Sequence, residues 1–200
     1  MYQGQQCHRG HLYPAMTASG NPANAANSVR STYQYTNAVP QCAPFNTGLW
    51  SNFEGRIRNY AVQTCIPGNG ELFLVTGSSF TAFQNTPPQP VPAPITQLVN
   101  GGIDRPNLLW TAGTCLYPGG QCDSFAVIGN NVPASLTQEI TQAQLNVILQ
   151  FDVQSNGLKR DKTRGEVKLF PGAARSCSNV QLPSEEYPPT GKSGKDKKHP

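Results

Sequence analysis

Charge is scarce in this chain. Only 13% of its residues are Asp, Glu, Lys or Arg, against about 25% in an ordinary soluble domain. Long apolar runs are missing too: none approaches the roughly 20 residues that a membrane-crossing helix needs, so no membrane span is expected. The opening segment Met1-Tyr2-Gln3-Gly4-Gln5-Gln6 has no apolar core and is not a secretory signal peptide. There is no Cys-x-x-Cys pair, which weakens a zinc reading, and no internal repeat. The hydrophobic content of 37% is lean but suffices for folding, and 200 residues suit one domain better than two.

Six cysteines are present, Cys7, Cys42, Cys65, Cys115, Cys122 and Cys177. An even number without metal-type spacing points to disulfides and hence to an oxidising compartment. The sequence does not choose among the pairings, although Cys115 and Cys122 flank a turn and are expected to bridge locally. Disulfides without a leader leave two readings, a cytosolic protein or a sequence that starts downstream of its leader, and the second is preferred.

The net charge of +4 is unevenly spread. Residues 1–60 carry Arg9, Arg30, Arg56 and Arg58 against Glu54 alone. Residues 61–158 carry Arg105 against Glu71, Asp104, Asp123, Glu139 and Asp152. The basic end with Lys192, Lys195, Lys197 and Lys198 reads as a solvated tail, disordered from residue 178.

Residues 1–30 are rich in Gly, Asn, Pro and Ala and read as loop. Residues 31–41 alternate polar with aromatic and β-branched residues, predicting a strand that ends at Pro40. Trp50, Phe53, Ile57, Tyr60 and Ala61 recur at helical spacing and predict a helix over 46–63. Residues 71–76 predict a buried strand stopping at Gly77, after a Gly68-Asn69-Gly70 turn. The five prolines of 85–95 predict a stiff extended loop. Strands over 108–111 and 125–128 should form a hairpin about Pro118-Gly119-Gly120. A helix over about 141–151 opens on a Thr141/Gln144 capping box.

Three segments carry side chains suited to chemistry: Cys7-His8-Arg9-Gly10-His11, Thr36-Asn37-Ala38-Val39-Pro40-Gln41, and Phe45-Asn46-Thr47-Gly48-Leu49-Trp50, with Glu54 and Arg58 following. Phosphodiester hydrolysis needs a base to deprotonate water, and a neutral imidazole such as His11 is suited to that. It also needs positive charge where oxygens become more negative, which Arg9, Arg58 and a divalent metal supply. The Asn46 carbonyl is a hard neutral ligand that suits Mg²⁺, and Glu54 can hold the ion's waters. Each residue has a plainer explanation: Asn46 as a helix cap, Glu54 and Arg58 as a surface i, i+4 pair worth about 0.3–0.5 kcal/mol, Trp50 as core, Asn37 as a turn former. Cys7, His8 and His11 would supply three zinc ligands, but no fourth lies near in sequence.

Taken together, the order Arg9-Gly10-His11, Asn37-Ala38-Val39-Pro40-Gln41, Asn46-Thr47-Gly48-Leu49-Trp50 and Glu54 resembles the DNA/RNA non-specific endonucleases, the ββα-metal nucleases. Thr36–Gln41, Asn59-Tyr60-Ala61 and Leu74-Val75-Thr76-Gly77 look most like the animal endonuclease domain-containing protein 1 branch. The likeness is clear over residues 7–80 and weaker from Pro106 to about Leu145. It implies that His11 is the general base, that Asn46 ligates one Mg²⁺ (or Mn²⁺), and that Glu54 orients the ion's waters. Arg9 and Arg58 would engage phosphate, Asn37 would brace the site, and DNA and RNA would be bound by their backbones. It further implies an α+β fold, a mainly antiparallel sheet flanked by helices with the ββα motif at residues 7–63. On this reading residues 1–177 form the nuclease-like domain and 178–200 the tail, in a secreted protein whose leader and first strands lie upstream of Met1. The sequence departs from the family at His8, where an Asp is expected. That departure keeps open an inactive nucleic-acid-binding or structural secreted protein, and a disulfide-stapled scaffold without a nucleic-acid role.

Overall fold

The computed structural model describes residues 7–15, 25–98, 102–156, 167–170 and 177–184. In chain order the elements are β1 (Cys7–His11), α1 (Ala25–Ser31), β2 (Ala38–Cys42), α2 (Ala43–Thr47), α3 (Leu49–Tyr60), β3 (Glu71–Ser79), β4 (Ala82–Gln84), β5 (Gln89–Val91), β6 (Thr96–Gln97), β7 (Asp104–Arg105), β8 (Leu108–Leu116), β9 (Cys122–Asn130), β10 (Thr137–Ile140), α4 (Gln142–Asn156) and β11 (Ser178–Asn179). The fold is α+β and mainly antiparallel, as expected.

The central sheet runs β10-β9-β8-β3, all antiparallel, and β11 adds in parallel beside the start of β9. Strand β8 is buried along almost its whole length because strands flank both edges and a helix covers each face. The pleat splits its side chains and those of β9 into two cores. Leu109, Cys115, Phe125 and Val127 pack with Trp50, Phe53, Ile57 and Tyr60 of α3. Leu108, Trp110, Ala112, Ala126 and Ile128 pack with Leu145, Ile148 and Leu149 of α4. Near-continuous apolar runs at Leu108-Leu109-Trp110 and Phe125-Ala126-Val127-Ile128 are what a sheet covered on both faces requires.

Several sequence expectations change. The helix over 46–63 is two helices broken at Gly48, and α3 runs on through a wider π turn, Ala61–Cys65. The strand over 31–41 shrinks to β2, preceded by a 3-10 turn at Tyr35–Asn37, and it passes through Pro40. That proline is tolerated because its residue sits where the ladder asks for no N–H. The loop over 1–30 contains β1 and α1. Strand β3 continues past Gly77 to Ser79 and is half-exposed, since it is the sheet's outer strand. The proline-rich loop contains β5, which pairs with β4 just before it. The β8–β9 hairpin is longer than expected and turns where Gly119 and Gly120 take φ values of 91° and 86°.

The Thr141/Gln144 capping box forms: Thr141 N–H donates to Gln144 Oε1 at 2.9 Å, and Gln144 N–H donates to Thr141 Oγ1 at 3.1 Å. The ordered chain continues past residue 178. Leu182 is buried, and Arg56 on α3 reaches across to the carbonyls of Leu182 and Pro183 while pairing with Glu139 of β10. The basic tail beyond residue 184 lies outside the described residues.

The Cys115–Cys122 bridge does not form. The register pairs Cys115 with Asp123 and Leu116 with Cys122, so the two sulfurs leave opposite faces of the sheet. Instead Cys65–Cys115 ties the end of the α3 segment to β8, and Cys122–Cys177 ties β9 to the C-terminal segment. Two disulfides fit an oxidising compartment. No helix among the described residues is long and apolar enough to cross a membrane.

Candidate active site

Strands β1 and β2 form their own antiparallel pair, and α2 and α3 follow at once, giving a β–β–α unit. Besides the packing of α3 on the sheet, one buried side chain fastens the strand pair of this unit to the end of β9. Asn131, just past β9, accepts from Cys42 N–H at 2.7 Å and donates to Pro40 O at 2.9 Å and Pro106 O at 2.8 Å. Nothing in the sequence marks this asparagine, because its partners lie far off in the chain.

Alternation along β1 sends Arg9 and His11 to one face and His8 and Gly10 to the other. Arg9 and His11 line an open cleft of about 430 Å³ together with Thr32, Tyr33, Gln34, Tyr35 and Ala38. The Tyr33 ring meets the His11 imidazole edge-to-face, 4.8 Å between centroids. The His11 ring takes no hydrogen bond from the described residues, and the exposed Arg9 guanidinium has no carboxylate partner among them. Gly10 is required here. A methyl at this position would overlap the side-chain amide of Gln41, which is buried beneath the strand and donates to the His11 carbonyl at 3.3 Å.

Asn37 acts on the chain that leaves His11. Its Oδ1 accepts from Tyr13 N–H at 2.8 Å, and its Nδ2 donates to Tyr13 O at 3.0 Å and Thr32 O at 2.9 Å. Both sides of the cleft are thereby tied to one side chain.

Asn46 lies within α2 and does not cap a helix. Its Nδ2 sits 3.2 Å from His8 Nδ1, and its Oδ1 makes no hydrogen bond among the described residues. Glu54 lies on α3 against a small hollow lined by Leu12, Tyr13, Pro14 and Ile57. Burial pushes its carboxyl up to about 8, partly offset by a hydrogen bond from Trp50. Arg58 follows one turn later, half-buried.

The structure therefore brings Arg9 with His11, His8 with Asn46, and Glu54 with the segment just after His11. It does not bring Asn46 into the His11 cleft, because His8 and His11 leave opposite faces of β1. Among the described residues no group of three or more His, Cys, Asp or Glu side chains could hold a metal ion. His8 also leaves the face of β1 opposite to Cys7 and His11, so these three side chains do not converge as zinc ligands. A hydrated Mg²⁺ with a single protein ligand needs no such group, and the free Asn46 Oδ1 fits that role.

The family model described as DNA/RNA non-specific endonuclease matches residues 1–117. The chain belongs to the DNA/RNA non-specific endonuclease family. No curated protein matches it. Among solved structures it is similar to the EndoG/EndoGI complex, at 13% identity and a TM-score of 0.48. That alignment covers 66% of this chain and 50% of the other, so the chain spans half the length of this relative. The family match takes in the whole β–β–α unit and both clusters around β1.

Proposed function

We propose that the β–β–α unit is the catalytic centre of a Mg²⁺-dependent non-specific endonuclease that hydrolyses phosphodiester bonds of DNA and RNA. The observation that carries this reading is the open cleft in which Arg9, without a carboxylate partner among the described residues, stands beside the His11 imidazole. A base for water must keep a nitrogen free to accept a proton, and no hydrogen bond from the described residues occupies the His11 ring. A phosphate diester supplies the charge that Arg9 lacks. Arg58 adds a second cation from α3. Gln41 holds the His11 carbonyl and Asn37 holds the backbone at Tyr13 just beyond it, and both restrain the imidazole. Asn46 would hold the ion, and Glu54 would orient its waters. The ion supplies a Lewis acid for the developing negative charge. The exposed Tyr33 and Tyr35, which the sequence reading passed over, would stack bases beside the scissile phosphate. The two disulfides support secretion.

The test is cleavage of supercoiled plasmid and of RNA by the 200-residue chain in Mg²⁺ buffer, for wild type and His11→Ala. One observation favours a second reading, an inactive binding protein that kept the fold: Asn46 is held by His8 on the far face of β1 from His11. DNA binding at low salt with no Mg²⁺-dependent nicking would support that alternative.

A further inference from the structure

Four of the six cysteines are paired, and the other two, Cys7 and Cys42, are free thiols that face each other across β1 and β2. Their register decides what they can do. Antiparallel pairs alternate between hydrogen-bonded and non-hydrogen-bonded positions. Leu12 N–H donates to Asn37 O at 2.9 Å, one step beyond the His11–Ala38 pair. Counting back, Gly10–Val39 and His8–Gln41 are bonded positions, and His11–Ala38, Arg9–Pro40 and Cys7–Cys42 are non-bonded. Two facts agree with this phase: Pro40 has no N–H to give, and the Cys42 N–H is spent on Asn131 Oδ1. Non-bonded partners stand about 4.5 Å apart at Cα with side chains on the same face. That separation lies within the roughly 4.4–6.8 Å span of disulfides.

We propose that Cys7 and Cys42 are oxidised to a third disulfide that staples the start of β1 to the end of β2. With glutathione disulfide as oxidant the step is two exchanges. The half-buried Cys7 thiolate attacks one glutathione sulfur and releases one glutathione thiolate. The buried Cys42 thiolate then attacks the Cys7 sulfur of the mixed disulfide and releases the second. Two thiols lose two protons and two electrons, and one glutathione disulfide becomes two glutathiones. The cross-link closes the chain from residue 7 to residue 42, a long loop whose closure removes freedom from the unfolded chain. It also prevents β1, which has β2 as its single strand partner among the described residues, from peeling away.

The 200-residue chain, refolded in a glutathione buffer, is denatured in N-ethylmaleimide, digested without reduction and mapped by mass spectrometry. The expected result is an unlabelled, disulfide-linked pair of peptides containing Cys7 and Cys42. Labelled Cys7 and Cys42 alongside intact Cys65–Cys115 and Cys122–Cys177 would overturn the proposal, as would linkage of either to another cysteine. In the Cys7→Ser/Cys42→Ser variant, amide exchange at Gly10 and Leu12 should quicken by about tenfold or more while β8 is unchanged. Unchanged exchange at Gly10 would contradict the stapling role.

Discussion

The side-chain amide of Asn46 donates to Nδ1 of His8 at 3.2 Å, and this contact leaves the Asn46 carbonyl as the free end of the group. The pairing depends on Nδ1 accepting. In the tautomer that carries its hydrogen on Nδ1 the ring donates there, and the amide must turn its carbonyl towards it, away from any metal. A carboxylate at this position accepts from Asn46 Nδ2 and leaves Oδ1 free. His8→Asp is therefore expected to raise Mg²⁺-dependent cleavage by roughly tenfold and to tighten Mg²⁺ binding, a second-sphere effect of usual size. Isothermal titration with Mg²⁺ and plasmid cleavage check it; weaker Mg²⁺ binding in the variant would count against the contact's role.

Glu54 gives a pH dependence of stability. Its carboxyl is raised to about 8, chiefly by burial, so the folded chain holds this proton more tightly than the unfolded chain does. The contribution is fully present below the ordinary carboxylate range and is lost as pH rises through that range towards the raised value. The metal-free protein should lose stability between about pH 5 and 8, by on the order of 1–2 kcal/mol from this group once its partial exposure is allowed for. Glu54→Gln keeps the shape without the charge and should flatten that decline in urea unfolding. An identical pH slope in wild type and variant would contradict the assignment.

Asn131 makes three buried hydrogen bonds, two to β2 of the β–β–α unit and one to Pro106 ahead of β8. Asn131→Ala leaves the Cys42 N–H and the Pro40 and Pro106 carbonyls unpaired. The expected loss is roughly 3 kcal/mol or more in chemical denaturation. A change within about 0.5 kcal/mol would show that the unit is anchored by other means.

Tyr33 and Tyr35 are 69% and 85% exposed beside Arg9 and His11, so neither is core. Base stacking on an aromatic ring is worth about 1–3 kcal/mol per base, and duplex DNA already spends its bases on one another. The Tyr33→Ala/Tyr35→Ala variant should lose about tenfold or more in affinity for single-stranded oligonucleotides and less for duplex. Fluorescence anisotropy with both substrates measures this, and equal losses on the two would argue against stacking.

The sequence made the candidate residues legible and left their three-dimensional grouping hidden. Arg9, His11, Asn46 and Glu54 are side chains of unmistakable chemistry at short separations. The helical stripe of Trp50, Phe53, Ile57 and Tyr60 shows in full because its period is local. The break at Gly48 was missed because one glycine inside a helical pattern is usually tolerated. The disulfides were missed for a different reason: Cys115 and Cys122 are close in sequence, but strand register places them on opposite faces. Gln41 and Tyr33 act on His11 only once β2 has paired with β1. Asn131 reaches its partners only after the sheet has formed.

The central claim is that His11 is the base of a Mg²⁺-dependent phosphodiesterase. Cleavage of supercoiled plasmid by the wild-type chain and by His11→Ala, in Mg²⁺ and in EDTA, tests it most directly. The account predicts Mg²⁺-dependent nicking by the wild type that falls by roughly 10²–10⁴-fold in the variant while DNA binding is kept. Equal cleavage by the two proteins, or cleavage that survives EDTA, would contradict it.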